Sequence, residues 1–193
     1  MTVARNSRQD VVRAAGRLFA QRGYHGTSMR DLGRELGLHG SSLYSHISSK
    51  EALLVEVVES GAELFERSSA HALEATDEPI QRLRSLVSGH VGVVLDHLDE
   101  ARTFLNEAEA LEPQHRAVVI KARDRYESVF RSVISQGIAT GAFRRDLDVR
   151  MTAIYLLSIL NAIDRWYRPG GDLDRETLTD SIMEFVVRGA GSS

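Results

Sequence analysis

Apolar residues recur at three- and four-residue spacing along nearly the whole chain, and no stretch of useful length alternates with the two-residue period of a strand. The pattern predicts helices. Ser7 can cap a first helix running to about Arg22, in which Val12, Ala15, Leu18 and Phe19 form one apolar stripe; Gly23 stops it. A short second helix follows Thr27 or Ser28, both good caps, and turns Met29, Leu32 and Leu36 inward. Gly37, which enters the left-handed region cheaply, ends it. A third short helix is expected over His39 to Ile47, with Leu43 and Ile47 inward. Ser48 or Ser49 then caps a long helix opening Lys50-Glu51-Ala52-Leu53. Three short helices with a glycine turn between the last two have the outline of a helix-turn-helix.

The rest reads as a helical bundle. Helices are expected to about Ala75, from Asp77-Glu78-Pro79, from Glu100 to Leu111, from Pro113 to about Thr140, from Leu147-Asp148 to Trp166, and from Asp174 to Arg188. Pro169-Gly170-Gly171 separates the last two. In the last, Leu178, Ile182, Phe185 and Val186 share a face. The stretch from Met151 to Trp166 is apolar almost all round and so calls for burial on every side. Two arrangements satisfy that: the central helix of one bundle, or a helix covered by a second subunit. With the helix after Asp174 it is the candidate for a four-helix homodimer interface. The fold class is all-α, an N-terminal three-helix head over residues 1–50 and a helical body over residues 51–193.

Charge sharpens this division. The net charge is −3, but residues 1–50 sum to +5 and residues 51–193 to −8. A basic head on an acidic body suits a polyanion for the head alone. The chain has no cysteine, which excludes disulfides and thiolate metal sites and fits a reducing cytoplasm. The first ten residues carry no signal-like apolar run, and the apolar stretch from Ala153 to Ile163 is too short to span a bilayer. A cytoplasmic location is expected, with no membrane partner.

Catalytic patterns are absent: no HExxH, GxSxG, phosphate-binding loop or GxGxxG occurs. His90 and His97 share a helix face, but two turns part them by about 10 Å, too far to grip one ion. Glu107, Glu109, Glu112 and His115 crowd round Pro113 at a helix boundary, where carboxylates are expected to be solvated. No catalytic residue, metal or cofactor is assigned. A helical-bundle enzyme is the poorest of the readings.

Residues 23–54, GYHGTSMRDLGRELGLHGSSLYSHISSKEALL, resemble the DNA-binding signature of TetR-family regulators. Gly23, the Thr27-Ser28 cap, Leu32, Leu36-Gly37-Leu38, Leu43-Tyr44 and Ser49-Lys50-Glu51-Ala52-Leu53 all fall in register. Two positions depart: His39 stands where the family often has Ser or Thr, and Ile47 where it often has an aromatic. The body matches in general layout. Asp164-Arg165-Trp166-Tyr167-Arg168-Pro169-Gly170-Gly171 and the following helix are similar to the tail of relatives that answer to acyl-CoA.

The resemblance implies a homodimer that reads a palindromic operator and releases it when a small effector binds the body. The head, 1–50, would bind DNA; residues 51–193 would hold the effector and the dimer contact. His39, Gly40, Ser41, Ser42, Tyr44, Ser45 and His46 lie off the inner face of the third helix and would face the major groove. Arg30 would read guanine through O6 and N7. Tyr44, Thr27, Ser28 and Lys50 suit phosphates, which fix position while base contacts specify. In the body, Phe104, Asn106, Tyr126, Phe130, Tyr155, Asn161 and Trp166 combine apolar walls with polar handles, as an effector pocket requires; each is also consistent with plain core. A DNA-binding protein without an effector is the alternative.

Overall fold

The computed structural model describes residues 7–37, 47–168, 170–171 and 173–190. Among them the regular elements are helices: α1 (Arg8–Arg22), α2 (Met29–Leu36), α3 (Lys50–Ala75), α4 (Pro79–Asp96), α5 (Leu98–Asn106), α6 (Pro113–Thr140), α7 (Val149–Asn161), α8 (Ile163–Trp166) and α9 (Arg175–Ala190). A single 3-10 turn, Ala108–Ala110, stands between α5 and α6. The helix expected over His39 to Ile47 lies, but for Ile47, outside the described residues. The chain forms two compact units. One comprises Met1–Ala62 and Asp99–Ile120, the other Glu63–Leu98 and Lys121–Ser193.

Local chemistry sets the helix ends of the first unit. Ser7 and Ser28 each close a capping box, with Asp10 and Asp31 as reciprocal partners. Hydrogen bonds from these serines hold both carboxyls below the usual carboxylate range. Gly37 sits at φ 64°, in the left-handed region, and ends α2. Ser49 caps α3, its Oγ accepting from the Ala52 N–H at 3.0 Å. Val11, Ala14, Ala15, Leu18 and Phe19 form the buried stripe of α1, and Leu32 of α2 and Leu53, Leu54 and Val57 of α3 are buried in the same unit. Val11, rather than Val12, carries the first turn of that stripe; Val12 is half-buried.

α3 and α5 approach closely at Gly61. A Cβ there would lie 2.7 Å from the Phe104 Cβ and 2.8 Å from the Glu100 carbonyl oxygen, so glycine admits the neighbouring helix backbone.

The second unit buries Phe65, Leu86, Val87, Val91, Tyr126, Phe130, Val133, Ile134, Leu156 and Leu160. At the end of α6, Phe143 folds back onto Gly137. Its N–H donates to the Gly137 carbonyl at 3.0 Å, and its ring occupies the space a side chain at residue 137 would need. α9 packs on α4 through Leu178, Thr179, Ile182 and Met183, with ion pairs Arg84–Asp180 and Arg175–Asp96 beside them. That orientation leaves Phe185 exposed, so the inward face includes Thr179 and Met183 instead.

The helix expected to run from Met151 to Trp166 is broken. The Ala162 N–H is shared between the Ser158 and Ile159 carbonyls, each at 3.2 Å, and the Arg165 N–H reaches back only three residues to Ala162. This tightened geometry separates α7 from the single turn of α8 with neither Gly nor Pro at the break. Nor is α7 covered on every side. Ala153, Leu156, Leu157 and Leu160 are buried, while Tyr155 is 62% exposed and Met151 is 37% exposed. Among the described residues, no helix is long and apolar enough to cross a membrane.

Candidate DNA interface and effector site

In the head, Arg30 is exposed on α2 and makes no ion pair among the described residues. Its guanidinium is thus available to a polyanion. Ser28 is exposed but engaged in the capping box with Asp31. Thr27 is turned inward: it is 2% exposed, and its hydroxyl is within hydrogen-bonding distance of the Gly23 and Leu18 carbonyls, at 3.0 and 3.3 Å. That hydroxyl therefore closes the turn before α2 rather than facing a phosphate. His39, Gly40, Ser41, Ser42, Tyr44, Ser45 and His46 lie outside the described residues.

Lys50 has a definite local task. Its Nζ donates to the carbonyls of Tyr24 at 2.7 Å and Thr27 at 2.8 Å, and lies 3.9 Å from the centre of the Tyr24 ring. Desolvation at this partly buried spot lowers its pKa. The ammonium thus ties the start of α3 to the turn that precedes α2. Two of its three N–H donors are used in doing so.

In the acidic cluster near Pro113, Glu109 and Glu112 are exposed, as expected, while Glu107 and His115 are half-buried. A Glu107 carboxylate oxygen accepts the Tyr24 backbone N–H at 3.0 Å. A Glu51 oxygen accepts the Glu112 backbone N–H at 3.1 Å and stands 3.2 Å from the His115 Nδ1. The Glu112 N–H, then His115, hold the Glu51 carboxyl below its usual range. These carboxylates connect the segment between α5 and α6 to both the α1–α2 turn and the first turn of α3. Among the described residues no group of three ligands suited to a metal ion occurs.

The seven residues proposed from sequence for an effector pocket divide between the two units. Phe104 and Asn106 belong to the first unit. Phe104 is core beside Gly61, and Asn106 is exposed, its Nδ2 donating to the Arg102 carbonyl. In the second unit, Tyr126 and Phe130 are buried with ring centres 5.3 Å apart. Asn161 is half-buried at the end of α7; Trp166 is 48% exposed and Tyr155 more so.

Sequence reasoning weighed His90 only as a metal ligand with His97 and missed its burial. It is 1% exposed, and its Nδ1 lies 3.2 Å from the Tyr126 hydroxyl. The Phe65 ring centre is 4.8 Å from the imidazole and 5.4 Å from the phenol. The available signal was the placement of His90 among Leu86, Val87, Val91, Val93 and Val94 on a helix that is otherwise apolar on that side. Burial lowers its pKa to about 3, with only the Leu160 backbone acting the other way. The same burial raises the pKa of Tyr126.

A pH dependence follows. An unfolded histidine protonates near 6.5, whereas folded His90 resists protonation down to about 3. Between those values the unfolded chain binds more protons, so stability rises with pH and is lost as pH falls through this window. Thermal unfolding midpoints are expected to drop steadily from pH 7 to pH 4, with a shallower slope in His90→Phe. A slope equal in wild type and variant would show that other groups cause it. Asp10, Asp31 and Glu51, whose pKa values are lowered, add a loss in the same direction as pH falls through the carboxylate range.

A capped helix pair with an exposed arginine thus precedes a helical body with a polar pair in its apolar core. Family comparisons define the class. The model described as "Bacterial regulatory proteins, tetR family" matches residues 11–57, and the "Tetracyclin repressor-like, C-terminal domain" matches residues 76–190. The chain belongs to the tetR family of bacterial transcriptional regulators, proteins that bind DNA and are controlled by small-molecule effectors; it is not an enzyme. The HTH-type transcriptional repressor KstR2 of Mycobacterium tuberculosis is 29% identical over 186 residues, which span 95% of this chain and 93% of that protein. The solved structure of the ketosteroid regulator KstR2 of the same organism superposes with a TM-score of 0.91 at 27% identity, covering 97% of each chain. AibR, solved with isovaleryl coenzyme A and operator DNA, gives a TM-score of 0.84 at 27% identity over 92% of this chain and 96% of its own.

Proposed function

We propose that this chain is a cytoplasmic, homodimeric repressor that leaves a palindromic operator when an acyl thioester of coenzyme A binds its body. The observation that carries this reading is the similarity to AibR along head and body alike, since that protein was solved with both isovaleryl coenzyme A and operator DNA. The functional division is residues 1–50 for DNA and residues 51–193 for effector and dimer. By the family resemblance, base reading and phosphate binding would fall to His39, Gly40, Ser41, Ser42, Tyr44, Ser45 and His46, with Arg30 as a further reader of bases and with Ser28 and Lys50 at helix starts that favour phosphate. Two heads would engage half-sites about one DNA turn apart, roughly 34–36 Å.

A second copy of the chain is supported by a groove of about 450 Å³ between α7 and α9, lined by Met151, Tyr155, Ile159, Phe185 and Val186 among others. Its exposed aromatic rings are the kind of surface that dimers cover.

The experiment is fluorescence anisotropy on DNA from the gene's own upstream region, against scrambled DNA at two salt concentrations, followed by titration with acyl-CoA esters. Specific binding that is released by acyl-CoA, and untouched by free coenzyme A, supports the reading. Operator affinity unmoved by any acyl-CoA would overturn the effector assignment. Arg30→Ala is expected to cost about 1–3 kcal/mol on the operator and little on scrambled DNA. Equal weakening on both would remove Arg30 from the readers.

A further inference from the structure

Most of the positive charge on the head is neutralised within the protein. Arg8 pairs with Glu56 at 2.6 Å, Arg13 with Asp10 at 2.7 Å, Arg17 with Glu35 at 3.4 Å and Arg34 with Asp31 at 3.6 Å. Lys50 is turned to the carbonyls of Tyr24 and Thr27. Among the described residues of the head, Arg22 and Arg30 remain exposed, with neither an ion pair nor a side-chain hydrogen bond. Arg22 ends α1, and Arg30 lies in the first turn of α2. The turn between them is tight: a Cβ on Gly26 would lie 2.2 Å from the Arg22 carbonyl oxygen. The Asp31 carboxyl, in that first turn of α2, is held low by hydrogen bonds from Ser28 and, after these, by the charges of Arg34 and Arg22. Arg22 is therefore within electrostatic reach of the turn that carries Arg30. Asp31 is not free to pair with it. One of its oxygens accepts the Ser28 N–H at 2.9 Å, and the other faces Arg34.

We propose that Arg22 binds a phosphate of the DNA backbone, and that it and Arg30 supply the free positive charge which the described part of the head offers to DNA. This deepens the DNA-binding reading and needs neither the operator nor the effector, because a phosphate contact acts on any duplex. An arginine without a carboxylate partner gives up only water to reach a phosphate, and its planar fork can hold two phosphate oxygens. Each of the four paired arginines would first have to leave its carboxylate, whose negative charge would then stand unpaired near the DNA. Thr27 offers no substitute, since its hydroxyl is buried against the Gly23 and Leu18 carbonyls. The head thus releases fewer counterions on DNA than its sequence charge implies, and Arg22 accounts for one phosphate in each copy.

The test is anisotropy of the full-length protein on a random-sequence duplex and on DNA from the gene's own upstream region, over a series of salt concentrations. Arg22→Gln is expected to weaken binding to both about tenfold at low salt, and to make the slope of log affinity against log salt shallower by about one per bound head. Its melting temperature should match the wild type, because the side chain is exposed and makes no ion pair among the described residues. Arg22→Lys keeps the charge and is expected to recover most of the slope. Two controls should leave the slope unchanged. R17Q/E35Q removes a neutral pair from the head, and Arg145→Gln makes the same change of net charge at an exposed arginine of the second unit. A wild-type slope in R22Q overturns the proposal and leaves the DNA-binding reading intact. So does a slope made equally shallow by R145Q, which would report net charge alone, or a loss in R22Q confined to the upstream DNA, which would make Arg22 a base reader. A wild type that binds neither duplex at any salt removes the DNA-binding reading and the proposal together.

Discussion

Replacing Tyr155 and Phe185 together by glutamate is expected to leave a folded monomer whose operator affinity is at least about a hundredfold weaker. The two rings are 62% and 68% exposed in the single chain and line one groove. Neither is needed to fill the core, where Leu156, Leu160, Leu178 and Ile182 do that work, so the single chain should fold without them. In a two-fold contact each ring is buried twice, and each burial is worth about 1.5–3 kcal/mol. Four carboxylates in the same place would have to be desolvated against one another. A monomer reaches one half-site, and the second half-site contact is no longer intramolecular. Sedimentation and anisotropy on the same samples check this. A double variant that sediments as a dimer would place the interface elsewhere.

The second large effect is expected at Lys50→Met, which should destabilise the head by about 2 kcal/mol, given two hydrogen bonds from a partly exposed charged group. The Tyr24 and Thr27 carbonyls lose their donor, and the turn before α2 loses its tie to α3. Methionine keeps an unbranched apolar stem of similar length, so the loss is mainly polar. DNA affinity should fall about tenfold on operator and scrambled DNA alike, because positioning rather than base reading is damaged. Two measurements separate the internal task from a phosphate contact. A lowered melting temperature of the free protein reports the first; a salt slope reduced by about one reports the second. An unchanged melting temperature would mean that the carbonyl contacts contribute nothing to the head.

Features written in neighbouring residues were legible in the sequence. Ser7, Ser28, Gly37, Pro79 and Pro113 mark helix ends because caps, left-handed glycines and first-turn prolines act within three or four residues. The all-helical class and the family signature rest on such local signals. Contacts between distant residues were not legible. Lys50 stands 26 residues from Tyr24, and Glu107 stands 83 residues from it, so no spacing rule links them. Phe104 has the same apolar character as Phe130, yet it packs where Gly61 opens a close approach between α3 and α5. The break after Asn161 has no Pro or Gly to announce it. His90 resembles any other histidine until its burial is known.

The carboxylate ties of Glu107 and Glu51 bear on how the protein is made. The first unit is assembled from two stretches of chain, Met1–Ala62 and Asp99–Ile120. Everything between them must be synthesised before the Glu107 carboxylate can meet the Tyr24 amide or the Glu112 amide can meet Glu51. On the ribosome, therefore, the head emerges first but is completed late, after residue 115 has left the exit tunnel. A nascent chain stalled before that point holds a head lacking these braces, and a regulator still under construction would be a weaker competitor for its operator than the finished one.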